Sequence, residues 1–507
     1  MGSKPLTDPS DYARQLEQLH AEARDIFGYA LHQSSIPEAF DRHLHFEGTQ
    51  LVLHPFPNVQ RVMPPTRVDL AQYKSVLVIA LGKAANAMLD TLLLRLPRRL
   101  KVRGVCCAPD KPQRRSWRFH YFAGGHPLPN SDSLKAARTA LRLLRRTSEK
   151  TFVFFLISGG GSAMFELPAD PAITLEDTVA FHEALVGCGA AIHEINIVRK
   201  HFSAVKGGRL SAAAPCARKI TLQLADVPLR RLDALASAPT LPDRSTLAEC
   251  REVLARYGLL DRFPPAVRNF FSRHLSEQDL PAAEAKNVQD PFAPERSTLD
   301  TLLSNHDLVN AARTRAHALG YRIVIDNTCD DWPYEKAAAY LIGRFAELRT
   351  KHPRLCLLSG GEVTVRLPGS TRATSAANSW EDAASNPAVG GKAIGTGGRN
   401  QQFALACAQS LHAQFSGSPV VVLSAGSDGV DGNSSAAGAL ADPTTVSRSE
   451  NFGFRPAVSL ERFDACPLFS ALGDTVVTGP TGNNLRDLRI LLSAELTQLS
   501  GEEPSPS

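Results

Sequence analysis

Residues 75–82 read SVLVIALG and residues 151–161 read TFVFFLISGGG. Each is a short, unbroken apolar run that stops at glycine. A strand with one wet face alternates apolar and polar residues. A continuous run closed by a turn residue is instead how a strand buried on both faces of a parallel sheet reads. Between the two runs, AANAMLDTLLLRL (84–96) has helical periodicity, VRGVCCAP (102–109) reads as a second strand, and 133–146 reads as a helix. Strand, helix, strand, helix with short connections predicts an open, Rossmann-like parallel α/β sheet.

The pattern resumes further along the chain. KITLQLADVP (219–228) reads as a strand, RLCLLSGGEVTVRL (354–367) as two short strands about a glycine turn, and VVVLSAGSDG (420–429) as another strand running into glycines. Helices are expected over 8–33 and, with a break at 206–208, over 175–213. The polar, proline-containing segment 271–295 reads as a linker or surface excursion. The Ser-, Ala- and Asn-rich segment 368–388 reads as a mobile loop. These readings predict two α/β domains with largely parallel sheets and a cleft between them: 1–270, a linker at 271–300, and 301–498.

Composition narrows the class. Of 507 residues, 43% are hydrophobic and 21% charged, the balance of a chain that can fill a core. The net charge of +5 is too small to make nucleic acid the expected partner, and the basic stretch 95–103 reads as a solvated face. No apolar run approaches membrane-span length, so no membrane partner is expected. The start of the chain has no apolar segment of a secretory leader. Nine scattered cysteines without a C-x-x-C pair suggest reduced thiols and a cytoplasmic location.

Glycine at strand ends is the main functional signal: Gly82, Gly159, Gly160, Gly161, Gly360, Gly361 and Gly426. Ligands of open α/β sheets bind beyond the carboxyl ends of the strands, and glycine turns there expose backbone amides to an anion. Neither a Walker A loop, a G-x-G-x-x-G fingerprint nor a G-x-S-x-G elbow is present. Beside the glycines stand Lys83, Glu362, Arg399, Asp428 and Asp431. Cations, carboxylates and backbone donors are the inventory of phosphoryl transfer.

Seven segments in order, VLVIALGKAA (76–85), GGHPLPNSDSL (124–134), LISGGGSAMFELP (156–168), HEINIVRKHFSAVKGGRL (193–210), SGGEVTV (359–365), GTGGRNQQFALA (395–406) and SDGVDG (427–432), resemble the glycerate kinases of the MOFRL type. The match runs from about residue 20 to about residue 495. This resemblance implies ATP-dependent, Mg²⁺-requiring phosphorylation of D-glycerate, on the 2-hydroxyl, with the active site between two α/β domains. It makes Lys83 and Arg399 the catalytic cations and Asp431 or Asp226 the group that orients or deprotonates the hydroxyl. Gly82, Gly159, Gly160, Gly161, Ser162, Glu194, Asn196, Arg199, Lys206, Arg209, Glu362, Gly398 and Asn400 become substrate or nucleotide contacts, and Asp226 and Asp428 metal ligands. His193 and Lys200 fall in the same matched stretch, and a homodimer stays open.

The chain departs from the family pattern at Leu229 and Arg230 in ADVPLR, Ala238 in ASAPT and Gln402 in GRNQQ, where the family has Gly, Asp, Gly and Glu. Two lost carboxylates bear on Mg²⁺ affinity, because Gln ligates Mg²⁺ poorly. Two alternatives follow: a kinase for another small hydroxy acid, and a paralogue that binds ligand without turnover.

Overall fold

The computed structural model describes residues 9–55, 64–276, 290–367 and 394–494. The chain forms two compact units, Ser35–Ser304 with Gly482–Asn484, and Met1–Ser34 with Asn305–Thr481 and Leu485–Ser507.

The first unit opens with a small antiparallel sheet, β1 (Leu44–Glu47), β2 (Gln50–Leu53) and β3 (Thr66–Asp69). Its main sheet comprises β4 (Ser75–Leu81), β5 (Val102–Ala108), β6 (Phe119–Ala123), β7 (Thr151–Ile157), β8 (Arg218–Leu224) and β9 (Ser297–Leu303). The spatial order is β6-β5-β4-β7-β8-β9, and every pairing is parallel. The chain enters at the centre, winds out to one edge, returns, and winds out to the other. That is the Rossmann order. β7 is buried along its whole length and β4 from Val76 onward, as their unbroken apolar runs require.

β4 and β7 are neighbours in register from Ser75↔Thr151 to Leu81↔Ile157. The connections leaving them run to opposite sides, so their carboxyl ends form the switch point where such sheets open a crevice.

Three sequence expectations change here. The helix expected over 175–213 is three helices, Leu175–Val186, Ile192–Phe202 and Arg209–Ala212, parted near Gly187 and Gly189 as well as at Gly207 and Gly208. The segment 271–300 is not one linker. Its start completes the helix Pro265–His274, its end enters edge strand β9, and 277–289 lie outside the described residues. The helix Pro9–Gln33 belongs with the second unit rather than with a 1–270 domain.

A helical layer supports the middle helix. Phe181 stacks on Phe202 with ring centroids 3.8 Å apart, and Phe263 and Phe271 stack beside them. One face of Ile192–Phe202 is thereby fixed, and the opposite face is left to the polar residues described below.

The second unit has β10 (Arg322–Ile325), β11 (Leu355–Gly361), β12 (Val420–Gly426), β13 (Gly438–Ala441), β14 (Thr475–Val476) and β15 (Asp487–Ser493), in the order β10-β11-β15-β12-β13-β14. Only β10 and β11 pair in parallel, so this sheet is mixed rather than largely parallel. The reason is β15, which inserts antiparallel between β11 and β12. After the glycines of β11 the described residues show bridge positions at Thr364, which pairs with Pro333, and Val365 in place of a second strand. The loop expected at 368–388 lies outside the described residues.

Pro9–Gln33 packs along β12 and β15. Arg24 donates to the carbonyl of Thr475 at 2.9 Å, Asp25 pairs with Arg315 at 2.6 Å, and His20 lies 2.9 Å from Asp442.

Candidate active site

In the first unit the expected residues gather at the β4/β7 switch point. Lys83 follows Gly82 off the end of β4, and its amide donates to the carbonyl of Gly159 at 2.8 Å. The amide of Ala84 donates to Ser158 Oγ at 3.0 Å. The two strand ends are thus laced together, while the Lys83 side chain stays exposed and forms no ion pair among the described residues.

The glycines of the second turn are there because side chains occupy their space. A Cβ on Gly159 would fall 1.7 Å from Asp226 Oδ2, so the Asp226 carboxylate lies directly against the turn. Gly160 has φ +80°, a conformation L side chains rarely adopt. A Cβ there would also meet Lys83 Cγ at 3.1 Å and His126 Cδ2 at 3.2 Å. His126 is therefore part of the site. In the sequence it stands only within GGHPLP, and the fold brings it to Gly160. Desolvation, then the charges of Lys83 and Arg199, push its imidazolium down to about 4.

Ser162 Oγ lies 2.9 Å from Ser237 Oγ, and Ser237 donates to Asn196 Oδ1 at 2.9 Å. Ser237 sits in a run of three non-glycine residues with positive φ, Ala236 (48°), Ser237 (58°) and Ala238 (53°). Such backbone costs free energy and persists where surrounding structure enforces it. The amides of Gly207 and Gly208 enforce it here, donating to the carbonyls of Ser237 and Ala238 at 3.1 and 2.7 Å.

Three other expected contacts have structural partners instead. Lys206 is 1% exposed, and its ammonium donates to the buried carboxylate of Glu166, which His182 also approaches at 3.1 Å. Burial opposes ionisation of Glu166, yet Lys206 and His182 hold its carboxyl down to about 2. Glu194 caps its own helix by accepting from the amide of Ala191 at 2.9 Å, and it is held by Arg256 and Tyr257. Arg209 donates to the carbonyls of Lys200 and Lys206.

The second unit holds a separate polar cluster at the ends of β11 and β12. The antiparallel insertion of β15 puts Asp487 opposite both Gly361 and Gly426. Arg399, first residue of the helix Arg399–Gln414, donates from Nε and Nη2 to the two oxygens of Asp487, each at 2.7 Å, and from Nη2 to Glu362 at 3.0 Å. Burial opposes its charge, but the two carboxylates raise its pKa well above the ordinary value. Arg399 was expected as a catalytic cation. It stands instead in a buried ion pair with its charge already matched. Asp487 was missed, since nothing marks its carboxylate apart from its place before an apolar run in LRDLRILLS.

Asp431 was expected as a base. It is fully buried and accepts from the amides of Asn400 and Gln401 at 3.0 and 2.9 Å, capping the helix that Arg399 begins. Gly398 is required there, because a Cβ would fall 2.3 Å from Asp431. Asp428 accepts from the amide of Val430 at 3.2 Å. Gln402 was read as a lost metal carboxylate. Its amide donates to the carbonyl of Leu460 at 3.0 Å inside the unit. Among the described residues no three His, Cys, Asp or Glu side chains gather as a metal cage. Mg²⁺ needs no such cage, because one or two carboxylates with substrate phosphates hold it. Asp226 against the Gly159 turn fits that requirement.

Comparison with known proteins identifies the family. Residues 22–272 match a domain of unknown function, DUF4147, and residues 355–487 match the MOFRL family. A D-glycerate 2-kinase of Thermotoga maritima is 31% identical over 85% of this chain and 93% of its own length. A protein of Agrobacterium vitis named putative hydroxypyruvate reductase is 32% identical over 82% of this chain and 98% of its own. A crystal structure of a Thermotoga maritima glycerate kinase superposes with a TM-score of 0.74 at 27% identity, covering 94% of this chain and all of the other. The chain belongs to the glycerate kinase family of the MOFRL type.

Proposed function

We propose that this chain transfers the γ-phosphoryl group of ATP to glycerate, on the 2-hydroxyl. The observation that carries the reading is the likeness to a D-glycerate 2-kinase over 93% of that enzyme. Lys83 supplies an exposed, unpaired cation for the oxygens of the transferred group. The amides of the Gly159–Gly161 turn hold phosphate oxygens, and Ser162 borders them. Asp226 would hold Mg²⁺ together with the phosphates, and the ion would supply charge neutralisation at the nucleotide. Asp226 also orients the attacking hydroxyl in this reading. Within the second unit, Arg399 keeps the carboxylates of Asp487 and Glu362 in place.

The test is an assay with ATP, Mg²⁺ and D-glycerate, coupled to enolase without phosphoglycerate mutase, so that only 2-phosphoglycerate registers. ADP release with enolase signal is the expected result. ADP release without it moves the phosphoryl group to the 3-hydroxyl. No ADP release above background, with oxidation of NADH by hydroxypyruvate, replaces the kinase by a reductase. The sequence speaks against that outcome, since the turn after β4 reads LGKAANAM and lacks the dinucleotide fingerprint.

A further inference from the structure

The helix Ile192–Phe202 carries two buried donors that the described chain leaves unsatisfied. Arg199 is 8% exposed and Asn196 3%. They stand three residues apart, one turn along the same face. Asn196 Nδ2 and Arg199 Nε are both shut off from water without a hydrogen-bond partner. No described carboxylate forms an ion pair with the guanidinium. The opposite charge it feels is Glu166, which Lys206, His182 and Ser203 already engage. An unpaired cation in an interior is costly. Retaining one makes sense where an anion arrives to meet it.

The surroundings point the same way. Lys83 Cγ and His126 Cδ2 both border the position a Cβ on Gly160 would take, at 3.1 and 3.2 Å, and the charge of Arg199 is felt at His126. Ser237 donates to Asn196 Oδ1, which leaves the amide nitrogen as the end that Asn196 can offer. Ser162 joins Ser237 to the glycine turn, tying the position of Asn196 to that of the phosphates. A planar guanidinium beside an amide donor matches the flat fork of a carboxylate.

We propose that Arg199 and Asn196 form the seat for the carboxylate of the acceptor substrate. Calling that substrate glycerate rests on the kinase reading; the anion seat itself does not. The seat explains how an enzyme could select a hydroxy acid over a neutral polyol, since only the acid satisfies both donors.

Thermal shift and titration calorimetry with D-glycerate, alone and with a non-hydrolysable ATP analogue, test the seat on the full chain. Glycerate is expected to raise the Tm of the wild type, and glycerol, which lacks the carboxylate, to leave it unchanged. Arg199→Met removes the unpaired charge. It is expected to raise the Tm of the ligand-free protein while abolishing the glycerate shift. In turnover, Asn196→Ala and Arg199→Lys are expected to raise KM for glycerate roughly ten- to a hundredfold with KM for ATP unchanged. A raised KM for ATP with that for glycerate intact would overturn the proposal and give the seat to a phosphate. A lowered ligand-free Tm with the glycerate shift preserved would make Arg199 structural. No glycerate shift in the wild type under either condition would also overturn it. An inactive wild type whose glycerate shift is abolished by Arg199→Met would sink the kinase reading and support the seat.

Discussion

The amide of Lys83 donates to the carbonyl of Gly159 at 2.8 Å, a main-chain bond that joins the turns at Gly82 and Gly159. The Lys83 side chain takes no part in that bond. Lys83→Ala should therefore leave Tm unchanged while lowering kcat about 10²–10³-fold, the usual cost of losing one preorganised charge contact. A parallel rise in KM for glycerate with kcat intact would turn Lys83 into a substrate-binding residue.

Arg399 behaves differently. Removing it strands Asp487 and Glu362 in the interior. Arg399→Ala should cost about 3–5 kcal/mol of stability, read as a lower urea midpoint for the second unit. Arg399→Lys should recover only part, because an ammonium cannot reproduce the two-pronged contact with Asp487. A variant that unfolds like the wild type but loses kcat would restore Arg399 to a catalytic part.

Asp431 makes stability depend on pH. Burial raises its pKa from 3.8 to about 6, against the pull of Arg399 and of the amides of Asn400 and Gln401. Between those values the folded chain holds the proton more tightly than the unfolded chain. Stability is fully present below pH ~4 and is lost as pH rises through ~6, by about 3 kcal/mol at most. Asp431→Asn removes this titration. The wild-type-minus-variant difference, from urea melts, should fall across that window and be flat above it. A difference flat throughout would mean an ordinary carboxylate.

Gln402→Glu introduces the family's carboxylate, but opposite the carbonyl of Leu460. Two acceptors then face each other in a buried place. Stability should drop by about 1–3 kcal/mol, and the Mg²⁺ dependence of turnover should not change. Tighter Mg²⁺ dependence in this variant would put position 402 back in the metal site.

Ala238 has φ 53° where the family has glycine. Ala238→Gly should stabilise the protein by about 0.5–1 kcal/mol, and Ala238→Val should destabilise it, since branching at Cβ aggravates the same conformation. Thermal melts of the two variants decide this. Opposite signs would show that packing at Ala238 outweighs backbone strain.

Much of the first unit was legible because β4 and β7 announce themselves as uninterrupted apolar runs, and the glycines that end them mark the switch point directly. β15 was not legible, because Asp487 and Arg489 interrupt its pattern. Both are buried, Arg489 donating to the carbonyl of Gly360 at 2.9 Å, so charge in the sequence did not mean exposure in the fold. The same confusion touched the site. Lys206 and Arg399 read as cations available to a ligand, whereas their partners Glu166 and Asp487 are distant in sequence. A single sequence shows a charge but not whether another charge has been folded against it. Arg199 is the reverse case, a cation that folding leaves unmatched.

The central place of β15 has a consequence for how the chain is made. Residues Asp487–Ser493 fill the gap between β11 and β12, and Pro9–Gln33 covers β12 and β15. The second unit is thus closed by two segments more than 450 residues apart in the sequence. Synthesis runs from the amino end, and domains generally fold as they emerge. The first unit can do so, because its sheet is complete by residue 303. The helix Pro9–Gln33 emerges before the rest of its unit and must then wait, its apolar face uncovered, while more than 450 further residues are made before β15 follows. Losing either segment would leave the second unit unable to close, so removing Pro9–Gln33 or Asp487–Ser493 is a defect of folding before it is one of activity.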